Sequence, residues 1–398
     1  MRPVVVVDAV RTPIGKRAGG LSGLHSADLL ATTLSTLVRR CGLEPDTVEQ
    51  IVGGCVSQVG MQSYNVTRTA ALVAGLSVAT AATTVDSQCG SSQQATSLAY
   101  ALIGSGTVDV AIACGVENMS TVPMGANLGT GIGKAIPKSY FANYTFTSQF
   151  QGAELIARKW GLAREELDAF GLSSQQGAAA AWSAGRFEGQ LVPIEVPVVD
   201  GDGQPTGRSN QVVRDECLRE TSMEALAALR PVLGANDRIV GPTGGLLTAG
   251  TSSQIADGAA AVMLMSEEAV RRASCQPLAR IVDTCLVGSD PVLMLTGPID
   301  ATRRLLDRNR LTIDDLSTVE INEAFASVVL AWQRELAVPD ELINPNGGAI
   351  ALGHPLGATG AGLVTKAVHE LQRTGHDRAL VTMCCGGGLG TATLLERL

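Results

Sequence analysis

Short uninterrupted apolar runs alternate with amphipathic stretches along most of the chain. Residues 3–8 (PVVVVD) read as a strand buried on both faces, and Leu29, Leu30, Leu34 and Leu37 make one apolar stripe of a helix over 27–40. The runs at 48–56 and 108–114 (VDVAIAC) predict two further strands. Between them Ala95, Leu98, Ala99, Leu102 and Ile103 recur at helical spacing, so a helix opens near Cys89, where an extended run gives way abruptly. This alternation predicts an α/β layered architecture with a mixed or parallel sheet. From about 120 to 250 the pattern changes to glycine-rich loop, helices over 151–160 and 164–184, a polar turn at 200–207 and a helix near 222–230. Buried-strand character resumes at 259–265, and a second α/β unit runs from roughly 275 onward.

The two α/β units share a register. Thr47-Val48-Glu49 recurs as Thr318-Val319-Glu320, and the stretch 108–115 lines up with 379–386, both at a spacing of 271 residues. The helix opening at Cys89 then falls on one beginning near Gly360, whose stripe is Val364, Ala367, Val368 and Leu371. A duplicated fold follows. If its halves pack about a pseudo-twofold axis, the loops preceding these helices approach each other, which carries His354 toward Cys89.

With 398 residues, 45% of them apolar, the chain can bury a core of two or three domains. A net charge of −8 argues against a nucleic-acid partner. No run is long enough to predict a membrane span, and neither an export signal nor a peroxisomal address is recognisable, so a cytoplasmic location is expected. Nine cysteines without paired spacing read as reduced thiols. Four histidines and no CxxC give no zinc pattern, and no bound metal is expected. The glycines at 129–133 and 386–390 fit neither a dinucleotide fingerprint nor a P-loop.

Within this frame Cys89 is a candidate nucleophile, since free N–H groups at a helix start stabilise a thiolate. A buried structural cysteine is the alternative. His354, in Gly353-His354-Pro355, can accept a proton from such a thiol, or be a surface histidine. Cys384-Cys385-Gly386 is placed where the last strand ends, with glycine amides free to face a ligand oxygen and a second thiol available for proton exchange. Asn322 or Glu323 extends from the strand at 318–321 toward the same cleft, or is structural.

Taken together, Cys89 at a helix start, NEAFA at 322–326, GGAIALGHPLGATG at 347–360 and CCGGGLG at 384–390 resemble the thiolase family. The likeness runs end to end through VRTPIGK (10–16), GVENMS (115–120), AWSAGRF (181–187) and DGAAAVMLMS (257–266). It implies a duplicated five-layer αβαβα fold with an inserted loop domain. Residues 1–120 with 251–273 would form the N-terminal half, 121–250 the loop domain and 274–398 the C-terminal half. It also implies acyl transfer with coenzyme A as substrate, no bound cofactor, and a homodimer or homotetramer.

Carried over by motif, Cys89 takes the acyl group, His354 activates it, Cys384 is acid and base at the α-carbon, and Asn322 orients a water. The amides of Cys89 and Gly386 form an oxyanion hole. Ser253 matches a pantetheine contact, Arg219 a phosphate contact, and Ala324, Phe325, Met124 and Met294 line the substrate side. Met124 stands where short-chain biosynthetic members carry a histidine after the proline, which favours degradation. Thr251-Ser252-Ser253-Gln254 in place of NASG, with TTVDSQCGSSQQA and GLHSADLL, looks similar to thiolases of actinobacterial steroid side-chain catabolism. The expected reaction is therefore cleavage of a 3-ketoacyl-CoA by coenzyme A in β-oxidation of a lipid or steroid side chain. Biosynthetic acetoacetyl-CoA condensation, a non-catalytic acyl-CoA binding protein and a redox or metal protein built on Cys384-Cys385 are the alternatives.

Overall fold

Each apolar run becomes a strand because both of its faces are covered. The computed structural model describes residues 1–129, 131, 133–199 and 204–398. Its strands are β1 (Val4–Arg11), β2 (Gly15–Lys16), β3 (Gln50–Gly54), β4 (Ala81–Val85), β5 (Val110–Asn118), β6 (Ile194–Val199), β7 (Pro205–Val212), β8 (Ala256–Ser266), β9 (Ala279–Gly288), β10 (Thr318–Ile321), β11 (Arg378–Cys385) and β12 (Leu389–Arg397). The helices are α1 (Ser26–Arg40), α2 (Val66–Val73), α3 (Ser91–Gly104), α4 (Gln149–Lys159), α5 (Arg164–Ser183), α6 (Met223–Ala227), α7 (Glu267–Ala273), α8 (Gly297–Asn309), α9 (Ala326–Leu336), α10 (Ala349–Leu352) and α11 (Leu356–Thr374).

One mixed sheet runs β10-β11-β12-β9-β1-β8-β5-β3-β4, and its order is symmetric about the β9–β1 seam. β1 matches β9, β8 matches β12, β5 matches β11 and β3 matches β10, while an isolated parallel bridge of Val319 to Ile343 stands in the place of β4. The 271-residue spacing is visible in the pairing itself. Gln50 faces Ala111 in the parallel pair β3–β5, and Ile321 faces Thr382 in the parallel pair β10–β11.

Side chains alternate between the two faces, with register shifts at Val6/Asp8 in β1 and Leu394/Leu395 in β12. Ala111, Ala113, Ala260, Val262, Ala379 and Val381 point inward onto α3 and α11, which lie between the two halves of the sheet. Ile112, Cys114, Ala261 and Met263 point outward under α1 and α2, and Leu380, Leu394 and Val319 point outward under α8 and α9. The result is five layers, αβαβα. Between β5 and β8 the chain makes α4, α5, the hairpin β6–β7 and α6, with α4 and α5 resting against α9. Among the described residues no helix is long and apolar enough to cross a membrane.

Several boundaries differ from the sequence expectation, each for a physical reason. The helix expected to open near Gly360 starts at Leu356, because Gly357 and Gly360 are used for close approach instead of breaking the helix. The helix expected over 222–230 is only Met223–Ala227; the carbonyls of Leu226 and Leu229 at its end are taken by Arg164 Nη2. Cys384 and Cys385 do not end the last strand: β12 follows and pairs antiparallel with β11. Of the turn at 200–207, residues 200–203 lie outside the described residues, and β7 begins at Pro205.

The central layer leaves no room for side chains where α3 and α11 meet the sheet. A Cβ on Gly115 would overlap the Gly357 carbonyl oxygen and lie 2.7 Å from Ser92 Cβ. Replacing Gly115 by alanine is therefore expected to cost about 1–3 kcal/mol through overpacking. Gly23→Ala, with nothing within 4 Å of the new methyl, should change stability by less than about 0.5 kcal/mol. Chemical denaturation of both variants checks the difference, and equal midpoints would contradict the packing argument.

Candidate active site

Four loops meet at the carboxyl ends of β4, β10 and β11 and at the start of α11. The first carries Cys89. Gln88 adopts a left-handed backbone with φ +53°, an uncommon geometry for a bulky residue, and turns the chain sharply from β4 toward α3. Ser91 fixes this turn, its Oγ accepting from Ser87 N at 3.0 Å and donating to Gln88 O at 2.5 Å. Gly90, not Cys89, caps α3, so the thiol sits just ahead of the helix.

Cys89 is buried, and desolvation pushes its thiol from the ordinary 9.0 up to about 11. Hydrogen bonds from the backbone N–H groups of Gly386 and of Cys89 itself pull the other way without winning. The expected thiolate at a helix start is thus corrected: Cys89 is a neutral thiol near pH 7 and requires a base. Burial raises Cys384 well above the ordinary thiol value as well, reinforced by the neighbouring Cys89 and Cys385 sulfurs. The two adjacent cysteines face apart, as successive strand residues must. Cys384 joins the cluster with Met294, Ala324, Phe325 and Ile350, whereas Cys385 joins the central core beneath Gly90, where an added Cβ would be 2.5 Å from its Sγ.

His354 is buried, not on the surface. Its Nδ1 is 2.7 Å from Thr359 Oγ1, and that hydroxyl donates to Pro355 O at 2.8 Å. Thr359 therefore accepts from Nδ1–H, which leaves Nε2 with its lone pair, and Asn322 Nδ2 donates to Nε2 at 3.3 Å. Burial depresses the imidazole to about 4, so it is neutral near pH 7. Asn322 Oδ1 is buried without a partner among the described residues.

The loops of Cys89 and His354 are held to each other by the helices they open. Ala361 N donates to Ser92 Oγ at 2.9 Å, joining the first turns of α3 and α11. Beneath them Glu117 accepts from Val56 N (2.9 Å), Ser57 N (3.0 Å), Gln62 Nε2 (2.8 Å) and Gly357 N (2.9 Å), so one carboxylate ties the loop after β3 to the start of α11.

The remaining expected residues divide. Met294 is buried beside Cys384 and Phe325, with a positive φ of 62°, and Phe325 stacks edge-on with Phe150 at 5.0 Å. Ser253 is half-buried, and its N–H reaches Ala324 O at 2.9 Å. Glu323 is committed to structure, accepting from Ser174 Oγ, Asn344 Nδ2 and Ile350 N. Arg219 is exposed on an open cleft with Gln175, Leu226 and Gly250. Met124 is 46% exposed on the turn after β5. Glu117 and Thr359 were not singled out from the sequence. A glutamate inside the apolar run of β5 is the signal for the first, because charged residues are rarely fully buried without a task.

The description "Thiolase, N-terminal domain" matches residues 4–268 and "Thiolase, C-terminal domain" residues 275–397. The chain is 45% identical to the steroid 3-ketoacyl-CoA thiolase FadA6 of Mycobacterium tuberculosis, over 100% of this chain and 95% of that one. It is 40% identical to a beta-ketoadipyl-CoA thiolase of Pseudomonas putida over the whole of both, and 40% identical to an acetyl-CoA acetyltransferase of Chromobacterium violaceum over 99% of each. With both halves matched and relatives aligned end to end, the chain belongs to the thiolase family of acyltransferases.

Proposed function

We propose that the protein cleaves 3-ketoacyl-CoA thioesters with coenzyme A, through an acyl group carried on Cys89, in the degradation of a bulky or medium-length acyl chain. The observation that carries this reading is the meeting of the Cys89 thiol with the Gly386 amide and the Cys384 thiol, at a helix start bonded to that of His354, whose unprotonated Nε2 is held only by a 3.3 Å hydrogen bond from Asn322 Nδ2. Cys89 passes its proton to His354 Nε2 as its sulfur attacks the 3-keto carbon. The C2–C3 bond then breaks, its electron pair passes to C2, and Cys384 protonates that carbon to release acetyl-CoA. Coenzyme A, giving its thiol proton to the Cys384 thiolate, attacks the acyl-enzyme, and Cys89 leaves and regains its proton from His354. The amides of Cys89 and Gly386 stabilise the oxyanion of the acyl-enzyme steps, and Asn322, with His354, holds the thioester oxygen through a water.

A neutral thiol–imidazole pair suits this sequence, because neither partner carries a net charge in the buried site until substrate is attacked. Ser253, Ala324, Phe325 and Met294 fit the wall that receives substrate, and Arg219 and Met124 belong to its outer approach. We assign residues 1–120 with 251–273 to the N-terminal half, 121–250 to an inserted loop domain and 274–398 to the C-terminal half; the additional elements between β5 and β8 support this partition. A homodimer or homotetramer in the cytoplasm is the assembly and location we assign. The steroid-side substrate class is supported by the name of the 45%-identical mycobacterial relative.

Thiolysis of acetoacetyl-CoA, a straight-chain 3-ketoacyl-CoA and a steroid side-chain 3-ketoacyl-CoA, compared by kcat/KM, tests the reading. Preference for a longer or bulkier chain is expected, and a best rate on acetoacetyl-CoA would assign the short-chain biosynthetic class instead. Cys89→Ala should abolish turnover and the acyl adduct that mass spectrometry finds on the wild-type peptide. His354→Ala is expected to lower kcat by about 10²–10⁴-fold, and Asn322→Ala by about 10²–10³-fold. Since His354 must be unprotonated to accept, activity is present above its pKa and lost as pH falls through it. The acid limb of kcat/KM is thus expected below the ordinary histidine value of 6.5, toward 4; a limb at or above 6.5 would contradict a buried neutral imidazole.

A further inference from the structure

Two glutamines away from the reacting groups grip the same peptide. The carbonyl of Ile350, in the short helix α10 that leads into His354, accepts from Gln254 Nε2 at 3.0 Å and from Gln175 Nε2 at 3.2 Å. Each glutamine also holds the segment 217–219. Gln254 Nε2 donates to Cys217 O at 2.8 Å, and Gln175 Oε1 accepts from Arg219 N at 3.0 Å. The Gln254 backbone carbonyl receives the His354 N–H at 3.0 Å, and Ile350 N donates to Glu323 Oε2 at 3.2 Å.

The segment so gripped is anchored at its other end. Asp215 makes a two-pronged ion pair with Arg11 at 2.8 and 3.0 Å, with both side chains buried, and also accepts from Ile14 N at 2.8 Å. Cys217 fills the space against Gly353, where an added Cβ would be 2.9 Å from its Sγ. The backbone from Asp215 to Arg219 is therefore a fixed rail, and the two amide side chains are the rungs joining it to the peptide before His354.

We propose that Gln175 and Gln254 form a clasp that sets the position of His354 against the segment carrying Arg219, and so act as positioning residues for thiolysis. The hydrogen inventory explains why amides stand there. Both hydrogens of Gln254 Nε2 go to carbonyl oxygens on two different segments, and both lone pairs of the Ile350 oxygen receive one donor each. An acid of the same shape would set a carboxylate against two carbonyl oxygens, and an apolar side chain would leave buried acceptors unpaired. Because a displacement of about 1 Å at a reacting group can cost about 10²-fold in rate, the clasp acts on turnover more than on binding.

The inference rests on His354 being the proton acceptor of a thiolytic reaction. Its test is steady-state thiolysis of a 3-ketoacyl-CoA by wild type, Gln254→Met, Gln254→Glu, Gln175→Met and the double methionine variant, each across a pH range. Each single variant is expected to lower kcat by about tenfold or more, and Gln254→Met, which leaves the Gln175–Arg219 bond in place, to keep the KM for coenzyme A within about twofold. Gln254→Glu should be at least as impaired as Gln254→Met although its shape is kept. The acid limb of the rate profile should move up toward the ordinary histidine value as water reaches His354, and the double variant should lose less than the product of the singles, because both rungs end on one oxygen. Melting temperatures falling while kcat and the acid limb stay at wild-type values would overturn the clasp and leave a purely structural role. If Gln254→Glu does not fold, the same readouts on Gln175→Met decide. A wild type without thiolytic activity would instead sink the catalytic reading itself.

Discussion

The close approach of the first turns of α3 and α11 is the constraint on which the rest of the molecule depends. Neither helix belongs to one half of the sheet alone, since both are covered by the inner faces of both halves. The Ser92 hydroxyl, the Glu117 carboxylate and the side-chain-free surfaces of Gly115, Gly357 and Gly360 let the two N-terminal ends come together in the interior. Each end is preceded by a loop bearing a reactive side chain, so a packing solution for two helices is at the same time the construction of a site. The duplication supplies the two helices, and divergence between the halves starts α11 six residues ahead of the position equivalent to the start of α3 and places a thiol before one and an imidazole before the other.

Burial then decides the protonation states. A helix terminus favours a negative charge by about 0.3–1 kcal/mol, whereas moving a thiol from 9.0 to about 11 corresponds to about 3 kcal/mol in the opposite direction. Desolvation wins over the helix dipole and the amide hydrogen bonds together. The same effect drives the imidazole down. Thiol and base are kept apart from their charged forms by one cause, and only a reaction that moves the proton between them can release it.

Much of this was legible in the chain. The valine and alanine runs marked the strands because the strands are buried on both faces, and the spacing of 271 residues foretold a pairing register that Gln50–Ala111 and Ile321–Thr382 reproduce. Cys89, His354 and Cys384 stood out because glycines flank them and loop breaks set them off. What could not be read lies in long-range hydrogen bonding. Nothing near His354 in sequence announces that Glu117, 237 positions earlier, anchors the helix after it, or that Glu323, next to a site residue, is spent on Ser174 and Asn344. The sign of the thiol shift was also missed, because a local helix start is visible in sequence and the depth at which it is buried is not.

The symmetric order of the sheet bears on how the molecule can be made. β1 sits between β8 and β9, with its partners some 250 residues downstream, and β9 finds its other neighbour only in β12. As the chain emerges from a ribosome, its first strand has no ladder to join until most of the polypeptide has been synthesised. Such distant pairing is slow and leaves strand edges exposed meanwhile. Although β3, β4 and β5 can pair among themselves early, closing the seam between β1 and β9 is therefore a late event that joins the two halves, and until then the edges of β1 stay open.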